Sequence, residues 1–191
     1  MVNQIEVVEL FVGNNPYSTT GVGIERKNQL FIDQFDPFYF NKVASILSRS
    51  FKRSGSKEKK RLVAQTIRLL HGHALETLFS HIFAAIQAPT CIVGWLQLYK
   101  PSDLTGLVRR VGVDRVLDES RFFVVPFSWY GISKALNLFG HRKPHDGTDP
   151  HSCWAAFWQM LADEFIDEKY RAEYNGLKHG HRVLASEAKF G

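Results

Sequence analysis

The pattern that most constrains this chain runs from about Lys57 to Ala88. Val63, Ile67, Leu70, Ala74, Leu78 and Ile82 recur at spacings of three and four, which places them on one face of a helix. The first half of the segment is amphipathic. The second half, "ALETLFSHIFAAI", is apolar nearly all round, with Glu76 as its only acidic group. A helix of that kind must be central, because water on any side would meet apolar surface. It predicts an all-α architecture, an antiparallel bundle whose other long member is a helix over 152–180.

The charge-free stretch Thr77–Tyr99 resembles a membrane span in composition. It holds His81, Gln87 and Gln97, however, and Pro89 divides it near the middle. Two shorter buried helices are expected, with no membrane association. The 191 residues suffice for one domain with a sizeable core, or a domain with an extension. Hydrophobic content of 45% against 23% charged excludes wholesale disorder, and 15 Phe with 4 Trp supply the bulk of a helical core.

Residues 1–36 read differently. "QIEVVELFVG" is β-prone and leads into the turn-rich "GNNPYSTTGVG", so a small N-terminal extension is expected, with a β-hairpin as its candidate form. The following "IERKNQLFIDQF" suits strand or helix. Asp36-Pro37 marks the boundary to a helical domain over 37–191. A helix through "FYFNKVASILSRSFKR" stops at Ser54-Gly55-Ser56, and Ser56 can cap the next one. Helices are expected in "TCIVGWLQLY", in "SDLTGLVRRVG" and beyond Pro126, then a polar loop over 140–151, with Ser152 capping the last helix.

The net charge of +5 is concentrated. Residues 49–68 carry eight Lys/Arg against one Glu, a local +7 that leaves −2 for the remainder. One basic segment therefore sets the pI, and a general polyanion-binding surface is not implied. The run can track phosphates, with Phe51 as a stacking ring, or form a solvated turn between helices. Cys91 and Cys153 show no CxxC spacing and are expected as buried free thiols of a reducing compartment. A basic region followed by an apolar stretch is missing at the N-terminus, so cytoplasmic placement is expected.

The chemistry-bearing stretch is "RAEYNGLKHGHRV", residues 171–183. On a helix, Arg171, Asn175 and His179 form one row of residues four apart, with Lys178 and Arg182 at its margin and Tyr174 and Leu177 continuing an apolar stripe. Gly180 suits a left-handed helix end, which would put Lys178 and His179 in a last turn that favours cations. That is the structural reading. In the functional reading, His179 activates a ribose 2′-hydroxyl, Lys178, Arg171 and Arg182 stabilise the transition state, and Asn175 orients the imidazole or a phosphate oxygen.

Tyr174-Asn175, then Gly-Leu-Lys and His179, late in an all-α domain, resembles the HEPN superfamily. The resemblance covers about residues 37–183 and implies a helical bundle. It also implies RNA or nucleotide binding, metal-independent endoribonuclease activity of the toxin–antitoxin or defence type, and a homodimer with a composite cleft. No cofactor follows from it. Asn175 and His179 match motif positions, while Tyr174 stands where the family has Arg, so any cleavage is expected to be slow or partner-dependent.

Two other readings come from the residues. A noncatalytic helical interaction module, antitoxin-like or structural, needs the polar row satisfied by Glu76 and backbone carbonyls. A metal enzyme needs imidazoles of His71, His73, His179 and His181 to meet, although residues two apart on a helix point about 200° away from each other. Glu76 should find a cation, Lys178 or Arg171, and His81 reads as a core histidine.

Overall fold

A computed structural model of the chain describes residues 6–13, 15–21, 23–111, 128–136 and 149–179. Its elements are β1 (Glu6–Val12), β2 (Asn15–Gly21), α1 (Ile24–Gln34), α2 (Tyr39–Arg53), α3 (Lys57–Gln87), α4 (Ile92–Leu98), α5 (Pro101–Val111), α6 (Trp129–Leu136), α7 (Pro150–Ile166) and α8 (Glu168–Lys178). The fold is all-α with a small N-terminal hairpin, as the periodicities predict. No helix among the described residues is long and apolar enough to cross a membrane.

The described residues gather into two compact units. One joins Met1–Phe35 to Leu78–Asp163, the other Asp36–Thr77 to Glu164–Gly191. In the first, β1 and β2 pair antiparallel, with Leu10 opposite Tyr17 and Val12 opposite Asn15. Gly13 turns the chain at φ 63°, a conformation glycine reaches without a Cβ penalty. Leu10 and Val12 are buried.

Gln87, at the end of α3, fixes that turn. Its Oε1 accepts from Gly13 N at 3.0 Å and its Nε2 donates to Gly13 O at 3.0 Å. The same Oε1 accepts from Trp95 Nε1 at 3.0 Å. A buried amide is stable here because its hydrogen bonds are made. Asn28 of α1 works similarly, donating to Thr90 O and accepting from Val93 N at 3.0 Å.

The core of this unit contains Phe79, Phe83, Trp95, Leu104, Trp129 and Trp158, all buried. Trp129 packs on Phe79 and Phe83 with ring centroids 5.4 and 6.3 Å apart. His81 is half-buried and stacks on Phe31 with centroids 5.7 Å apart, with Phe35 at 4.9 Å. The "IERKNQLFIDQF" segment is helical, as α1.

Three expectations are corrected. The long C-terminal helix is two helices, broken at Asp167, whose backbone is extended and whose carboxylate accepts from Tyr170 N. The start of α7 is set by Asp149 rather than Ser152: Asp149 accepts from His151 N at 3.2 Å and from Ser152 Oγ at 2.8 Å. The Ser152 hydroxyl, with the His151 amide and the Tyr130 hydroxyl, holds the Asp149 carboxyl below the usual range. Of the thiols, Cys91 is buried but Cys153 is exposed.

Candidate functional site

In the second unit, the N-terminal part of α3 lies beside α8. The contacts run in the same direction along both helices, from Arg68 and Tyr170 through Gly72 and Tyr174 to Glu76 and Lys178. Two rows of residues four apart, Arg68-Gly72-Glu76 and Tyr170-Tyr174-Lys178, therefore face each other in parallel. Asp167 starts α8, its Oδ1 accepting from Tyr170 N at 2.7 Å, an N-cap bond that satisfies one of the helix's orphan donors.

Tyr170 and Tyr174 are both buried, with rings stacked at 6.5 Å and 15°. Arg68 lies over Tyr170, its guanidinium 4.3 Å from the ring centroid. Arg68 Nε donates to Glu173 Oε2 at 3.2 Å and Nη1 to Glu164 Oε1 at 3.3 Å. Glu164 Oε2 lies 3.1 Å from His71 Nε2. The Tyr170 hydroxyl has no hydrogen-bond partner among the described residues. Its pKa is pushed up to about 12, first by burial and then by the carboxylates of Glu164 and Glu173, against the opposing effect of Arg68.

One turn on, Gly72 admits the Tyr174 ring. A Cβ at position 72 would lie 2.2 Å from Tyr174 Cδ2. The Tyr174 hydroxyl donates to Glu76 Oε2 at 2.7 Å and lies 3.1 Å from His73 Nδ1. Having given its one proton to the carboxylate, that hydroxyl can only accept from His73, which assigns the proton to Nδ1. Lys178 Nζ donates to the same Glu76 Oε2 at 3.1 Å and lies 5.5 Å from the Tyr174 ring centroid. The cation expected beside Glu76 is thus Lys178. With its side chain 15% exposed, Glu76 is a shielded carboxylate whose charge is matched.

The candidate residues divide. Tyr174, Lys178 and Glu76 come together. Asn175 and His179 are exposed on another side of α8, and Arg171 is half-buried. His179 is the C-cap of α8, its backbone N–H donating to Asn175 O at 3.0 Å. Arg182, Gly180 and His181 lie outside the described residues. His71 and His73 turn to different partners, Glu164 and Tyr174. Among the described residues, no three His, Cys, Asp or Glu side chains are grouped to hold a metal ion.

Sequence reasoning missed the roles of Gly72, Arg68 and Tyr170, and considered His73 only as a metal ligand rather than as a partner of Tyr174. The signal was present as two ladders of four-residue spacing, one on each helix. In the basic run, Arg49, Lys52, Arg53, Lys57, Lys59, Lys60 and Arg61 are exposed. Lys60 Nζ lies 5.7 Å from the Phe51 ring centroid.

Chemically, the seam is a run of donors and acceptors, from His73 through Tyr174 to Glu76 and Lys178. It fixes two helices side by side, with Glu76 Oε2 bonded to both Tyr174 and Lys178. No known family model matches this chain, and comparison with curated proteins and with solved structures gives no match.

Proposed function

We propose that this chain is a noncatalytic helical interaction protein, antitoxin-like or structural, whose α3–α8 seam holds the fold that partners engage. The observation that carries this reading is the double use of Glu76 Oε2, by Tyr174 Oη and Lys178 Nζ. Both bonds tie α8 to α3, the helix-to-helix role that the interaction reading gives Glu76. Self-association belongs to the same reading: Trp154, Phe157 and Met160 stand exposed along α7, where residues 150–162 carry no Asp, Glu, Lys or Arg. Aromatic and Met side chains without charge suit the core of a homodimer interface, and light scattering over a concentration series reads it directly. Two free cysteines, one exposed, support a reducing, cytoplasmic setting.

A second reading, a HEPN-like endoribonuclease, is favoured by one observation. Asn175 and His179 are exposed one turn apart at the end of α8, where an imidazole can reach a bound RNA. The test is single-stranded RNA incubated with the protein in EDTA. The interaction reading expects no cleavage above buffer, and the same result for His179→Ala. EDTA-insensitive cleavage that disappears in His179→Ala, with thermal stability unchanged, would overturn it in favour of the ribonuclease.

A further inference from the structure

In the second unit, α2 is a helix whose residues are all at least partly exposed; none is buried. The sequence of α2 sorts into an apolar and a polar side around the axis, with Ser50 the one polar residue inside the apolar arc. Phe40, Val43 and Leu47 form an inner apolar side and are half-buried. Tyr39 and Ile46, seven residues apart and so within roughly 20° of each other about the axis, lie at the edge of the apolar arc. They are 54% and 58% exposed. Next to that edge, on the polar side, come Lys42, Arg49 and Arg53. No acidic residue occurs anywhere in Tyr39–Arg53. The carboxylate just before the helix, Asp36, is already taken by Lys42 Nζ at 2.7 Å.

We propose that this outer edge of α2 docks a helical segment of a partner protein, one with an apolar stripe flanked by Asp and Glu. The proposal rests on the interaction reading and names its surface and the partner's chemistry. Charge complementarity selects the occupant. A second copy would bring the same cations against Arg49 and Arg53, and like charges across an interface are costly. A lipid surface would take the whole apolar arc of an amphipathic helix, but the middle of this one is half-covered by the fold. RNA would reward the cations and Tyr39, yet the most exposed member of the strip, Ile46, offers no stacking face. A partner helix uses both features at once, Ile46 and Tyr39 as anchors and the arginines as a rim that selects acidic flanks.

The probes are two fluorescent helical peptides with the same leucine stripe, one flanked by Glu and the other by Lys, and a single-stranded RNA oligonucleotide. Binding to the full chain is read by anisotropy. The Glu-flanked peptide should bind at least tenfold more tightly than the Lys-flanked one. Ile46→Asp should cost at least tenfold, and Arg49→Glu with Arg53→Glu should reverse the preference between peptides. Because these side chains are exposed, the melting curve of each variant should match the parent, which separates loss of binding from loss of fold. Equal binding of both peptides, or no binding of either, would overturn the proposal. So would tight RNA binding that Ile46→Asp leaves untouched. RNA cleavage lost in His179→Ala would instead sink the interaction reading, and the peptide preference would still stand or fall alone.

Discussion

The ring of Tyr174 occupies the space a side chain at Gly72 would need, with Cδ2 2.2 Å from where a Cβ would stand. This single close approach lets α8 sit low enough on α3 for the Tyr174 hydroxyl to reach Glu76 at 2.7 Å.

Gly72→Ala should therefore destabilise the protein, although alanine is the better helix former. Helix propensity returns about 1 kcal/mol, while forcing a buried ring aside costs about 1–3 kcal/mol. The displaced hydroxyl also loses its bond. Urea unfolding should show a net loss; a stabilised variant would mean that the ring lies elsewhere.

Glu76→Ala leaves Tyr174 Oη and Lys178 Nζ without their shared acceptor and should cost about 1–3 kcal/mol. Glu76→Gln should cost less, since an amide oxygen still accepts from the tyrosine. A double-mutant cycle of Glu76→Gln with Lys178→Met isolates the ion pair. Lys178 is one-third exposed, so a coupling of about 0.5–1 kcal/mol is expected. Zero coupling would remove Lys178 from the seam.

Tyr170 predicts an alkaline weakness. Its pKa stands at about 12 against an ordinary 10.0, so the folded state binds the proton more tightly than the unfolded chain. Stability from this source is fully present below pH 10 and is lost as pH rises from there to about 12. Tyr170→Phe keeps the packing against Arg68 and removes the titration. Denaturation midpoints of the two proteins, compared across that window, should diverge as pH rises, because only the tyrosine protein loses stability there. Parallel curves would contradict the assignment.

Asp167→Ala removes the side-chain cap of α8 and should cost about 1 kcal/mol. Asp167→Asn should recover most of it. Hydrogen exchange at the Tyr170 amide, which the cap protects at 2.7 Å, should quicken in the alanine variant. Unchanged exchange would show that α8 starts without help from Asp167.

Local patterns carried much of this fold. The three-and-four spacing from Val63 to Ile82 marked α3, and Ser54-Gly55-Ser56 marked the gap between α2 and α3, because a helix face and a breaker are written in neighbouring residues. The break at Asp167 was not legible in the same way. Trp158, Leu161 and Phe165 keep helical spacing up to it, with neither Pro nor Gly at the break; one capping bond decides the matter.

What the sequence determined by itself was the inventory: a C-terminal helix with the row Arg171, Asn175 and His179 beside a Tyr174 and Leu177 stripe, and a shielded Glu76 in need of a cation. Which row turns inward was decided only by the tertiary structure. Tyr170, Tyr174 and Lys178 face α3, while Asn175 and His179, rotated about 100° from Tyr174 and Lys178, are left to solvent. The physical reason is burial together with close approach. Two tyrosine rings bring more apolar area out of water than Asn and His can, and only Gly72, far away in the chain, has room for one of them.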